Sequence, residues 1–485
     1  MKLSGWGRYP TAVAEIIEPV SRQSVQNLFR DDSCHTQIIA RGGGRSYGDS
    51  ALADNVLSTR FFDSFISLNS DQGAIRCGSG VQLKELLHLV IPAGYFPPVL
   101  PGTKYVTVGG AIAGDIHGKN HHQEGSFCQH VSCLTLLLAN GELLNCSETE
   151  NKEQFLATCG GMGLTGIILD ATIILKKVPS VSIDQKTRVA HSLGECMDIF
   201  DSVEDSEYSV AWLDGLARGK KKGRSLVHTG SHSIEGKGQP ISRRELSIPF
   251  STPAMLLNKY SLQLFNEFIY KSQVIKRESK KVNYESYFFP LDSIKNWNLL
   301  YGSRGFIQYQ FLVPLDCSLE AISAILEKIA DAGKAPALSV LKKFVNGNDN
   351  YLSFPRSGYT LAMDFKRDAA LFSLLEEIDE LVLAYEGRQY LAKDARMSER
   401  VFKQSYENWE KFIAVKSKYD PNNIFASQQS KRLGLTNLIS SWAYEYFNHW
   451  CNVSNSAVNI SSVCCQECET FPPGKGRRTS SRVSC

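Results

Sequence analysis

The chain has 485 residues, more than one hydrophobic core ordinarily serves, so at least two domains are expected. Apolar residues make up 43% and charged residues 21%, an ordinary globular balance, and a formal net charge of +3 is too even to indicate nucleic-acid binding by electrostatics. Eight of the thirteen cysteines are scattered before residue 450 and five crowd residues 451–485, a pattern that reads as buried, reduced thiols rather than a disulfide framework.

The N-terminus lacks the apolar run of a signal peptide, and no stretch approaches the ~18 apolar residues of a membrane span. A cytoplasmic protein is therefore the expectation, with peripheral contact at a membrane surface as its variant. Residues 1–180 are rich in glycine and short β-type runs. TQIIARGGG (36–44) reads as a strand entering a glycine turn. In 74–94 a strand leads to a helix with Leu83, Leu86, Leu87 and Val90 on one face, ending near Gly94. VSCLTLLLANGELLNC (131–146) is a hairpin turning at Asn140-Gly141, and 166–178 is a further strand.

From 181 the glycines thin out, and aromatic strands appear in YSVAWLDGLA, GFIQYQFLVP and YTLAMDF. Two amphipathic helices, in 317–333 and 369–387, are each expected to stop at a glycine. The mixture suggests a separate α+β domain. ARGKKKGR (217–224) reads as an exposed loop, with contact to an anionic lipid or phosphate as the alternative. Residues 391–434 form a compact helical segment. Beyond Gly434, Leu435, Leu438, Ile439, Trp442, Tyr446 and Trp450 recur at helical spacing, before a basic, disordered end.

Three glycine clusters, at 41–49, 101–120 and 160–166, can bring backbone N–H groups close to a phosphate and suggest a pyrophosphate-bearing cofactor held by loops. GMGLTG (161–166) matches G-x-G-x-x-G, but a strand-like run follows it where a dinucleotide site needs a helix. His117 and His121 are spaced i, i+4. However, GGAIAGD (109–115) is poor helix material, no acidic ligand accompanies them, and C-x-x-C at Cys465 and Cys468 lacks a second pair. No metal is expected, and the histidine-bearing loop suits an anion or a flavin ring better.

GRSYGD, VLPGT, VTVGGAIAGDIHGKNHH and GLTGII, followed by YSVAW, GFIQYQF, YLAKDAR and DPNNIFAS, together resemble the vanillyl-alcohol-oxidase/p-cresol-methylhydroxylase (PCMH) superfamily. More narrowly, they resemble its polyprenylphosphoryl-ribose 2-oxidase subgroup. The resemblance covers roughly residues 5–434 in order. It implies an α+β, two-domain PCMH-type fold. An FAD-binding domain would span 1–180 and be completed by 388–434. A substrate domain built on an antiparallel sheet would span 181–387, and 435–485 would be a divergent tail.

The resemblance also implies roles. Gly42, Gly43, Gly44, Arg45, Ser46, Tyr47 and Gly48 would wrap the FAD pyrophosphate. Pro101, Gly102, Thr103, Val108, Gly109, Gly110, Ala113 and His117 would contact the cofactor from a second loop. Gly163 and Ile167 would lie near adenine or ribose, and Tyr390 would touch the cofactor. Lys119, Gln308, Gln310, Lys342 and Lys393 would line the substrate pocket. Many superfamily members attach FAD through a histidine in the first loop; Tyr47 stands there, so FAD should be non-covalent. Lys393 would be the fixed cation beside the flavin, and His117 and Tyr47 are the two candidates for the base.

The implied reaction is oxidation of the 2-hydroxyl of a polyprenylphosphoryl ribose to the 2-keto sugar. A short-chain reductase partner would complete epimerisation to arabinose. An alditol or aldonolactone oxidase using O2 is the alternative. Two positions depart from the subgroup: Ala362 replaces a cysteine and Phe288 a tyrosine.

Overall fold

The β-branched run Ile167–Ile174 is the spine of an antiparallel five-stranded sheet in the order Leu143–Cys146, Val131–Leu137, Ile167–Ile174, Ala74–Gly78, Phe65–Asn69. This computed structural model describes residues 1–30, 36–236, 246–252, 257–275 and 278–436, and Met1–Thr436 form one compact unit. The aromatic stripe, C-x-x-C and basic end expected after Gly434 lie outside the described residues, except Leu435 and Thr436. Asn140-Gly141 turns the hairpin, with Gly141 in the left-handed region (φ 80°). Helix Leu83–Val90 buries Leu83, Leu86, Leu87 and Val90 as their spacing requires. A second, three-stranded parallel sheet runs Glu15–Ile17, Asn55–Ser58, Ile38–Arg41.

The large sheet has eight strands in the order Ser279–Asn283, Ser182–Ala190, Ser225–His232, Tyr208–Leu213, Leu338–Phe344, Gly358–Lys366, Phe306–Val313, Arg388–Gln389, every neighbouring pair antiparallel. Helices Leu193–Ser202, Ser318–Asp331 and Ala369–Ala384 cover one face. Their apolar stripes pack on Leu213, Val227, Tyr309, Phe311, Leu361 and Met363. Phe306–Val313 is buried along its whole length, its odd-numbered residues under the helices and Gln308 and Gln310 on the opposite face. Helix Ser318–Asp331 is followed by Gly333 at φ 67°, as expected; after Ala369–Ala384 the left-handed residue is Glu386 (φ 53°), not Gly387.

The basic stretch at 217–224 is only partly a solvated loop. Lys220 and Lys221 are exposed, but Arg224 is buried between Asp214 (2.7 Å) and Glu267 (2.6 Å).

The chain's end closes on its beginning. Ile38 N–H donates to Ile424 O (2.7 Å), and Ala426 N–H to Ile38 O (3.1 Å). Arg432 Nη2 bridges Asp49 Oδ1 (2.7 Å) and Asp394 Oδ2 (2.9 Å). Gly48 sits at this seam, where a Cβ would fall 1.9 Å from Asp394 O. Backbone packing therefore requires glycine at 48, and Gly48, expected on the cofactor, is not among the residues lining the cleft.

Candidate active site

Between the glycine loops and the uncovered face of the large sheet lies a cleft of about 580 Å3. One wall is made of loops. Thr107 caps the short helix Val108–Ala113 by accepting from Gly110 N–H (3.3 Å), so the glycine-rich run judged poor for a helix does begin one. The loop at 42–47 closes on it: a Cβ at Gly42 would fall 2.1 Å from Thr107 Oγ1, so only glycine admits that approach. Gly102 differs, since a Cβ there meets nothing within 4 Å. Ser79 Oγ, Arg45 Nε and His117 Nδ1 are buried on this cleft without a partner. A volume in the range of cofactor pockets, a glycine-lined wall and stranded polar atoms fit a phosphate-bearing cofactor.

The other wall is made of side chains. Residues two apart on a strand share a face, and the even-numbered members of four strands point here: Val210 and Trp212, Gln308 and Gln310, Val340 and Lys342, Thr360 and Ala362. Phe288 closes the cleft edge. Trp212, His228 and Thr360 were absent from the expected set, and the period-2 alternation through Gln308 and Gln310 was the signal that could have found them.

Three lysines converge on the cleft. Burial pushes the Lys119 ammonium down to about 7, helped by Lys342, and Lys342 itself down to about 8. Burial also brings Lys393 down to about 7, with Asp364 opposing and Lys342 assisting. Lys119 Nζ donates to Tyr287 O, and Lys393 Nζ lies 3.8 Å from the Tyr47 ring centroid. Asp364, raised to about 6 by burial, accepts from Gln308 Nε2 (2.5 Å) and from the Tyr301 hydroxyl (3.2 Å). Burial drives the Tyr47 phenol well above its ordinary value.

Hydrogen-bond directions settle the His117 tautomer. The Thr360 hydroxyl donates to Phe311 O (2.8 Å), so it can only accept from its other partner, Gln310 Nε2 (3.2 Å). The same amide nitrogen therefore donates to His117 Nε2 (3.0 Å). His117 Nε2 is thus an acceptor already engaged, and the ring proton sits on the unpartnered Nδ1. Burial holds the imidazole well below its usual range, with Lys342 and Lys393 adding to the effect, so it is neutral. The ring is held between Tyr390 and Phe344, each with its centroid at 5.0 Å, and the Tyr390 hydroxyl donates to Gly114 O (2.6 Å).

Gly42, Gly43, Gly44, Arg45, Ser46, Tyr47, Pro101, Gly102, Thr103, Gly109, Gly110, Ala113, His117, Lys119, Gly163, Gln308, Gln310, Lys342, Tyr390 and Lys393 all line this one cleft. Besides Gly48, two expected contacts do not. Val108 is fully buried in the hydrophobic core, and its N–H donates to Val81 O (2.8 Å). Ile167 packs into the cluster of Val25, Ile38 and Phe425, while its strand neighbour Ile168 lines the cleft. The His117 and His121 rings both pack on Phe344, at 5.0 and 4.0 Å between centroids. Among the described residues, no group of three or more His, Cys, Asp or Glu is placed to hold a metal.

A family model described as FAD binding domain matches residues 13–147, and one described as D-arabinono-1,4-lactone oxidase matches 262–433. Decaprenylphosphoryl-beta-D-ribose oxidase of Mycolicibacterium smegmatis is 35% identical over 450 residues, covering 90% of this chain and 97% of its own. An uncharacterized Streptomyces coelicolor protein is 31% identical over 73% of this chain and all of its own. Bovine L-gulonolactone oxidase is more distant, 24% identical over 88% of this chain and 96% of its own. The fold and cleft define an FAD-dependent oxidoreductase of the vanillyl-alcohol-oxidase/PCMH superfamily, and within it the chain belongs to the decaprenylphosphoryl-ribose oxidase family.

Proposed function

We propose that the protein oxidises the 2-hydroxyl of a polyprenylphosphoryl ribose to the 2-keto sugar, with a short-chain reductase completing the epimerisation to the arabinose form. The observation that carries this reading is the lysine set on the sheet side of the cleft. Lys342, at about 8, keeps its charge near neutral pH and Lys119, at about 7, keeps it in part, and among the described residues no carboxylate acts on either. That arrangement suits a phosphate far better than a neutral lactone.

Gly42–Gly44, Ser46, Gly109, Gly110 and the unpartnered groups of Arg45 and Ser79 would hold FAD, without a covalent link since Tyr47 stands in the first loop. FAD so bound supplies the hydride acceptor. The chain's own residues handle the proton. The Tyr47 phenol holds its proton too tightly to act as a base near neutral pH, and His117 Nε2 is engaged with Gln310. Lys393 Nζ, at about 7, is available as the free amine and takes the hydroxyl proton. The resulting ammonium leaves positive charge where electrons are gained. His117 Nδ1–H is a fixed donor that orients an oxygen in the cleft. Residues 1–180 with 388–434 would form the cofactor-holding domain and 181–387 the substrate domain.

The test is anaerobic bleaching of the flavin absorbance. Polyprenylphosphoryl ribose should bleach it, and acid precipitation should release FAD to the supernatant. A second reading, an aldonolactone oxidase, is favoured by the lactone-oxidase match over 262–433. Bleaching by a soluble aldonolactone with rapid peroxide release, and none by the lipid-linked sugar, would establish it instead.

A further inference from the structure

Helix Lys259–Ile275 is turned inside out. Its inward face carries polar anchors: Asn266 Nδ2 donates to Asp214 Oδ1 (2.7 Å), Glu267 pairs with Arg224 (2.6 Å), and the Tyr270 hydroxyl donates to Ala190 O (3.2 Å). Its outward face carries Tyr260, Leu264 and Phe268 in one i, i+4, i+8 stripe, with Phe265 beside it. They are 81%, 74%, 69% and 54% exposed, where a surface helix normally presents polar groups. Lys259 and Lys271 are exposed on this helix; Lys271 pairs with the half-buried Glu267 (3.0 Å), and Lys259 has no ion pair among the described residues. The neighbouring segment repeats the pattern with exposed Leu246 and Phe250. The helix starts near the cleft: Leu257, two residues before it, packs on the cluster of Trp297, Tyr301 and Phe306, and Trp297 lines the cavity.

We propose that this face is a membrane-docking surface. Tyr260, Leu264, Phe265 and Phe268 would enter the headgroup–acyl boundary of an anionic bilayer, with Lys259 on its phosphates. Aromatic and aliphatic side chains flanked by the unpaired Lys259 match a lipid surface in both polarity and charge. The position also sets the cleft rim against the bilayer, where a lipid-borne substrate resides.

The test is co-sedimentation of the full chain with phosphatidylcholine vesicles, with and without phosphatidylglycerol and with no sugar substrate present. Its outcome is therefore independent of the substrate reading. The wild type should pellet with the anionic vesicles. L264S/F265S/F268S should lower the bound fraction about tenfold or more, and K259E should weaken the preference for anionic lipid. Both variants alter exposed side chains, so flavin absorbance and thermal unfolding should match the wild type. Failure of the wild type to pellet, or equal pelleting by the triple variant, would overturn the proposal. So would a wild-type dimer that the triple variant converts to monomer without any vesicle binding, since the face would then belong to a second copy.

Discussion

The two walls of the cleft are built on opposite terms. The loop wall at 42–47, 101–103 and 107–114 offers mainly backbone, brought close by residues without a Cβ, and its shape depends on what lies behind it. The sheet wall offers side chains on strands whose far face is locked by three helices, so it can change chemistry one residue at a time without losing shape. The difference teaches where variation is tolerated. Ala362 and Phe288, the two departures from the subgroup's pattern, both lie outside the loop wall.

Four substitutions test that contrast, from the largest effect to the smallest. Lys393→Met removes the proposed base, and kcat should fall by about 10²–10⁴-fold with flavin content unchanged. In the wild type kcat/KM should rise with pH through about 7 as Lys393 loses its proton. It should fall above about 8 as Lys342 loses the charge that binds phosphate. The rising limb should vanish in the Lys393 variant, and a persisting limb would assign the base elsewhere. Arg432→Ala strands two buried carboxylates behind the loop wall, so chemical denaturation should report a loss of about 3–5 kcal/mol together with lower FAD retention. Lys342→Met should raise KM for the phosphorylated substrate about tenfold to a hundredfold, by loss of one hydrogen bond to a charged group, with kcat little changed. Thr360→Val frees Gln310 to rotate and releases the His117 tautomer. The expected drop in kcat is about fivefold, with the imidazole nitrogen resonances exchanging positions in NMR. Unchanged resonances would dismiss the relay.

Much of this was legible in residue order. Glycine clusters announce close backbone approach, and Leu83, Leu86, Leu87 and Val90 announce a buried helix face, because both signals are local. Ile167 and Ile168 show the limit: a strand's period of two decides which of two adjacent isoleucines meets the cleft, and composition cannot set that phase. Val108 turns into the core because Thr107 caps a helix on glycines that propensity disfavours, a local event that composition does not announce. Thr360 was missed because its importance lies in a hydrogen-bond direction imposed by Phe311 and Gln310, partners 49 and 50 residues away in the chain. The outward apolar face of Lys259–Ile275 is equally invisible in order alone, because the polar anchors that turn it come from Asp214, Arg224 and Ala190.

The clasp of Arg432 on Asp49 and Asp394 has a consequence for biosynthesis. A ribosome that has released the glycine loop at 42–47 has not yet made the brace behind it. Arg432 emerges 383 residues after Asp49, so the brace behind the loop wall forms long after the loop itself has been made, and a chain cut short before that arginine is expected to retain flavin less well.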